Sequence, residues 1–193
     1  METSWQQVHN QIQACERCPL HQGIHHKVPG QGSTNAKLMI VGEGPGYEED
    51  RQGLAFVGPA GQLLTRMLAA IGLSRDEVYI ANVVKCRPPA NRVPSPDEAR
   101  ECLPYLRAQT ALIRPRVILI LGGTALRYLV DEGARITASR GRWIHRKGVW
   151  LLPTYHPSAL LRDPDKKRDA WKDMQMLCDK LKELESEAGY DNQ

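Results

Sequence analysis

The sequence predicts an α/β fold: a three-layer α/β/α domain built on a central, mostly parallel four-stranded sheet. Two observations carry this expectation. Four apolar runs of strand length, at 38–41 (LMIV), 78–84 (VYIANVV), 116–121 (RVILIL) and 149–153 (VWLLP), are separated by stretches with helical apolar periodicity. The third run is apolar from Val117 onward, as a strand covered on both faces must be. Strands alternating with helices produce a parallel sheet with helices packed on both sides. In such sheets ligands sit at the carboxyl ends of the strands.

Length and composition fit one core-forming domain over residues 1–193, with 41% hydrophobic and 25% charged residues. The last residues, SEAGYDNQ from about 186, are expected to fray. No apolar run approaches the roughly 20 residues that cross a bilayer. The N-terminal METSWQQVHNQIQAC has no basic-then-apolar leader pattern, so the expected compartment is the cytoplasm. There, five cysteines point to metal or thiol chemistry rather than disulfides. The formal charge is only +4, but residues 135–168 hold six Arg, three Lys and two Asp, a local balance of +7. Such a stretch serves equally as a phosphate-binding face or as a solvated basic surface.

Taken in order, residues 4–15 read as an amphipathic helix with a Ser4/Gln7 capping box and Trp5, Val8, Ile12 and Cys15 on one face. It runs into Cys15-Glu16-Arg17-Cys18, a C-x2-C pair that can turn two thiolates toward one metal centre. His21, His25 and His26 follow in a loop and read as solvated histidines. The first strand breaks into Gly42-Glu43-Gly44-Pro45-Gly46, a turn whose backbone can approach a ligand closely. Glu48, Glu49 and Asp50 continue it as a loop, and Phe56, the one phenylalanine, lies between Gly53 and Gly58. A flat apolar ring on a glycine-bounded loop beside a strand end suits stacking on a planar ligand. Residues 62–71 form the next helix, with a core stripe of Leu63, Leu64, Met67, Leu68 and Ile71. Asn82 interrupts the second strand, and a buried amide must be hydrogen-bonded to protein or ligand.

The basic loop KCRPPANRVPSP carries Cys86 and leads to a helix announced by Ser95-Pro96-Asp97-Glu98. Cys102 lies on that helix. After the third strand, Gly122-Gly123-Thr124 opens a short helix, and a small strand at 142–144 turns through HRKG into the last run. That run delivers Tyr155-His156-Pro157-Ser158. A final helix at about 169–187 places Trp171, Met174, Cys178 and Leu181 on one face, which makes Cys178 plain core.

Glycine turns after strands invite a nucleotide test, and both motifs fail. No Gly-Lys-Ser/Thr ends a phosphate loop, and the third dinucleotide glycine would fall on Tyr47. The cysteines leave zinc and iron–sulfur both open. The wide separation of Cys86 from Cys102 leans the spacing toward a [4Fe–4S] cluster over zinc.

CERCPL, VGEGPGYEED, FVGPAGQLL, IANVVKCRPPANR, LGG and HPSALLR, in this order from residue 15 to 162, resemble the family 4 (type-4) uracil-DNA glycosylases, the iron–sulfur branch of that superfamily. The resemblance implies a DNA-repair hydrolase that flips deoxyuridine from single- or double-stranded DNA, cleaves its N-glycosidic bond and leaves an abasic site. It implies a monomer, no membrane, and a [4Fe–4S] cluster on Cys15, Cys18, Cys86 and Cys102. Gly42, Glu43 and Gly44 would line the base pocket, Phe56 would stack on uracil, and Asn82 would read its O4/N3–H edge. His156 would stabilise the departing uracil at O2, and Glu43, beside a side-chain-free Gly44, would orient the water. Glu49 and Asn91 would support the pocket. Pro157 and Ser158 would press the DNA backbone, Leu160 would wedge into the duplex, and Arg162 would hold phosphate. Two rivals remain at this level: a uracil-DNA binder or crosslinker without turnover, and an iron–sulfur redox protein.

Overall fold

The computed structural model describes residues 4–190, with side chains through residue 187. Its centre is a six-stranded sheet. The strands are β1 (Gln31–Gly32), β2 (Leu38–Gly42), β3 (Tyr79–Asn82), β4 (Val117–Leu121), β5 (Ile144–Arg146) and β6 (Val149–Thr154), in the spatial order β1-β3-β2-β4-β6-β5. The pairs β2·β3, β2·β4 and β4·β6 are parallel, whereas β1 and β5 add on antiparallel at the two edges. The expected four-stranded parallel sheet is therefore the inner part, and the strand count is corrected to six. The edge strands are two and three residues long: β1 is too short to show periodicity, and β5 is the small strand expected at 142–144, displaced to Ile144–Arg146.

Alternate residues along the parallel strands feed two cores, as a pleat requires. Met39 and Val41 of β2, with Ile118 and Ile120 of β4, face α1 (Trp5–Gln13), α4 (Pro96–Ile113) and α5 (Gly122–Leu129). Leu38 and Ile40, with Val117, Leu119 and Leu121, face α3 (Pro59–Ala70) and the last helix, α8 (Lys167–Tyr190). Each outer layer supplies its own stripe: Val8 and Ile12 from α1, Leu64 and Leu68 from α3, and Met174, Leu177 and Leu184 from α8.

The helix starts follow from capping. Ser4 and Gln7 exchange both capping-box bonds, as do Ser95 and Glu98, where Pro96 occupies the first helical position. Three local expectations change. Residues 47–52, read as loop, form the helix α2 (Tyr47–Gln52), entered from extended Gly46 and ended by left-handed Gly53. Trp171 is exposed, and Ala170 takes the buried position beside Met174. The final helix continues through Tyr190, and residues 191–193 of the expected tail lie outside the described residues. Among the described residues, no helix is long and apolar enough to cross a membrane.

Candidate active site

Parallel pairing brings the carboxyl ends of β2, β3, β4 and β6 to one rim. Gly42 is paired with Asn82, and Leu121 with Thr154. A cavity of about 700 Å³ opens there, lined by Glu43, Gly44, Glu49, Phe56, Asn82, Asn91 and His156 among others. Sequence-predicted residues from five separate segments thus share one cleft.

Phe56 is buried and sits at a φ of 53°, a left-handed conformation unusual for a bulky residue. The loop that holds it is fixed from three sides. Glu49, buried at the end of a turn of α2, accepts backbone N–H bonds from Gly46 (3.1 Å), Val57 (2.9 Å) and Gly58 (2.8 Å). Arg75 donates to the carbonyls of Ala55 (2.6 Å) and Phe56 (3.1 Å). At Gly61 a Cβ would meet the Phe56 carbonyl oxygen at 1.8 Å, so α3 packs directly on the loop backbone. Gly42 is equally constrained: a Cβ there would lie 2.5 Å from the Phe56 ring and 2.6 Å from Asn82 Oδ1. The ring and the amide thus converge over a glycine that leaves them room. The Phe56 and His156 rings stand 5.6 Å apart, tilted by 35°.

Asn82 is 1% exposed, and among the described residues its Oδ1 has no hydrogen-bond partner. A buried acceptor left unsatisfied costs about 1–3 kcal/mol, so it marks a place where a ligand N–H belongs. The backbone of Asn82 is held from below by a buried lysine. Lys85 Nζ donates to the Asn82 carbonyl (3.0 Å) and to Gln109 Oε1 (2.8 Å). Burial pulls the Lys85 ammonium down to about 8.

His156 lies two residues past the end of β6 and caps α7 (Pro157–Arg162). Its Nδ1 accepts the Ser158 backbone N–H at 3.1 Å and lies 2.8 Å from the Ser158 hydroxyl. A backbone N–H can only donate, so Nδ1 is the bare nitrogen and Nε2 carries the proton of the neutral ring. Burial, reinforced by the Arg162 charge, lowers the His156 pKa to about 4. The ring is therefore a neutral N–H donor at physiological pH. Glu43 is steadied by Thr124 Oγ1, which donates to one carboxylate oxygen, Oε2. Side-chain space at Gly44 is closed: a Cβ would meet Val84 Cγ2 at 2.8 Å.

Several placements depart from expectation. Leu160 is 2% exposed and packs with Tyr155 and Ala170, whereas Leu161 is 44% exposed. Leu160 is therefore not the outward wedge expected of it: buried Pro157 and Leu160 lie three residues apart on the inner face of α7, which turns Leu161 outward. Buried Pro157 cannot press on a DNA backbone, and the Ser158 hydroxyl is directed to His156. Arg162 is exposed at the cavity wall. Asn91 is an exposed rim residue that accepts from Arg87 Nε at 2.7 Å. The histidines are not loose: His21 Nδ1 lies 2.7 Å from the Cys18 carbonyl, and His25 and His26 close on Asp50. Thr124 and Arg75 were missed. Thr124 follows a glycine pair that reads as a helix start, and Arg75 lies nineteen residues from the carbonyl it holds.

Cys15, Cys18, Cys86 and Cys102 line a second, apolar pocket against Ile12, Leu20 and Tyr105. Burial and the neighbouring thiols push Cys86 up to about 12, and burial pushes Cys102 up to about 11. As bare thiols they stay protonated, and only a bound cation would draw them out as thiolates. Among the described residues, no three His, Cys, Asp or Glu side chains converge as the ligands of a single metal ion.

Comparison with known proteins agrees with this geometry. The sequence profile of the uracil DNA glycosylase superfamily matches residues 29–175. The type-4 uracil-DNA glycosylase of Thermotoga maritima is 48% identical over 160 residues, covering 81% of this chain and 82% of that protein. The type-4 uracil-DNA glycosylase of Pyrobaculum aerophilum is 41% identical over 180 residues, 89% of this chain and 92% of its own. A type-5 uracil-DNA glycosylase of the same organism is 36% identical over 150 residues, covering 69% and 66%. The chain belongs to the uracil-DNA glycosylase superfamily, within its type-4 family.

Proposed function

We propose that this chain removes uracil from DNA by hydrolysing the bond between uracil N1 and the deoxyribose C1′, leaving an abasic site. The observation that carries the reading is the partnerless Oδ1 of Asn82, facing a cavity walled by Phe56 and His156. A flipped uracil would lie on Phe56 and donate its N3–H to that oxygen, while the Asn82 amide donates to O4. Cytosine presents no N–H at position 3, so the same amide disfavours it. The neutral His156 Nε2–H would donate to O2 as the C1′–N1 electron pair leaves with uracil. Water held by the Glu43 oxygen that Thr124 leaves free would form the new bond to C1′ of the oxocarbenium-like sugar and release its proton. Uracil departs as an anion and is protonated by solvent.

The four cysteines are assigned to a [4Fe–4S] cluster. An all-sulfur donor set in one apolar pocket supports it. So does the sequence spacing, a tight C-x2-C pair with a second pair as wide as Cys86 and Cys102, unlike the two tight knuckles of a zinc ribbon. Cys15, Cys18, Cys86 and Cys102 would hold the cluster, which would then staple the N-terminal helix to the 82–102 segment. The chain is assigned as a single-domain monomer of the cytoplasm, acting on single- or double-stranded uracil DNA. Exposed Leu161, in place of Leu160, is the apolar side chain available to fill a vacated base position.

Incubation with a uracil-containing oligonucleotide followed by alkali tests the reading. Free uracil, and strand scission only after alkali, is the expected outcome. A stable protein–DNA adduct, or no reaction on either single or double strands, rejects it. Broad visible absorption of the purified protein is expected for the cluster, and a colourless, zinc-loaded protein would reject that assignment.

A further inference from the structure

The cavity is much larger than one pyrimidine ring requires, and its rim beyond the base pocket has a chemistry of its own. Tyr47, the first residue of α2, is 47% exposed and lines this cavity. Its ring is flanked by two guanidinium groups, Arg87 at 5.1 Å and Arg51 at 5.7 Å from the centroid. Arg51 also donates to the Tyr47 hydroxyl at 3.3 Å, and Arg87 is pinned by Asn91. The charges of these arginines are not consumed. Among the described residues neither lies within ion-pair distance of a carboxylate, whereas neighbouring Arg92 is bound at both nitrogens by Glu98 (2.7 and 2.8 Å). Val93, 54% exposed, extends the same wall as an apolar surface.

A half-exposed ring held by two unneutralised arginines fits a nucleotide: the base stacks on the ring and the cations take phosphate oxygens. Ring and guanidinium contacts carry no base code, so the preference would be for single-stranded nucleic acid of any sequence. We infer that Tyr47, with Arg87 and Arg51, forms a stacking platform for the nucleotide adjoining the flipped uracil on the same strand. The inference rests on the uracil-excision reading and adds a second nucleotide subsite to it. The contacts are made by every flank sequence alike, so the platform anchors the strand and does not select sequence.

Single-stranded oligonucleotides carrying 2′-fluoro-2′-deoxyuridine, which resists cleavage, with 2-aminopurine on its 5′ or 3′ side, report directly on stacking. Wild type and Tyr47→Phe should quench the fluorophore at one of the two positions, and Tyr47→Ala should not. On cleavable single strands Tyr47→Ala should raise KM about tenfold with kcat little changed. Arg87→Ala should raise KM and reduce the salt dependence of binding by about one phosphate. Equal quenching by Tyr47→Ala and wild type at both positions, or an unchanged KM, overturns the platform. A merely structural Tyr47 would lower melting temperature without a position-specific loss of quenching, and that result also overturns it. Failure of the excision reading is distinguishable: wild type would then release no uracil at all.

Discussion

At the scale of single residues, the site is built from groups whose partners are missing or one-sided. Asn82 Oδ1 is buried without a donor, His156 Nδ1 is occupied so that Nε2–H is free, and one Glu43 oxygen is taken by Thr124. Asn82→Ala should lower kcat/KM by about 10²–10³-fold with little loss of stability, because the deleted acceptor was unsatisfied in the folded protein. Single-turnover kinetics beside thermal melting checks this. His156 gives a pH prediction. With a folded pKa near 4, its N–H donor persists across neutral pH, and the rate profile should show no histidine step between pH 5 and 8. The stability sign follows from linkage. The unfolded ring, with an ordinary value of 6.5, takes its proton before the folded one, so stability falls as pH drops from about 6.5 toward 4. Urea midpoints of wild type and His156→Gln, compared through that window, should differ in slope in this direction. Asn82 and Phe56 were legible in the sequence because each is chemically anomalous where it stands, and His156 because it follows the last inner strand. Thr124 was not, since a threonine after two glycines on a helix start has an adequate local explanation, and its bond to Glu43 spans 81 residues.

At the scale of elements, strand ends and helix phase decide function. β2 must end in glycine because its neighbour in register on β3 is Asn82, with the Phe56 ring crossing above. Gly42→Ala should therefore abolish detectable excision while the far-ultraviolet circular dichroism stays native, since the added methyl collides with pocket side chains alone. The helix α7 shows what periodicity cannot supply. HPSALLR contains adjacent leucines, and six residues are too few to show which one faces inward. The core seat for Leu160 fixes the phase and turns Leu161 outward. Leu160→Ala should cost about 2–5 kcal/mol of stability by denaturant titration. Leu161→Ala should leave stability nearly unchanged and reduce activity on duplex more than on single strands. Residues 47–52 were misread for a similar reason. Acidic residues after a glycine turn look like solvated loop, but buried Glu49 turns back to hold three backbone N–H groups and closes the segment into a helix.

At the scale of the molecule, the two pockets share one connector. Residues 82–86 carry the Asn82 amide at one end and a cysteine at the other, and Lys85 between them ties the Asn82 backbone to Gln109 on α4. Loss of the cysteine site should reach the whole N-terminal layer, since Cys15 and Cys18 follow α1 while Cys86 and Cys102 lie on the connector and α4. Cys86→Ser should remove visible absorption and lower the melting temperature by about 10 °C. Loss of hydrogen-exchange protection should be greatest in α1.

Read alone, the sequence determined the layered α/β class, the caps of α1 and α4, the parallel inner strands and several of the residues at the rim. These follow from local periodicity, capping chemistry and residue types that have no place in an ordinary core. The tertiary structure decided the edge strand β1, the outward leucine, the neutral tautomer of His156 and the partners of Glu43 and Phe56. Each of these depends on which atoms distant segments bring within hydrogen-bonding or van der Waals reach, and neither spacing nor periodicity along the chain carries that information.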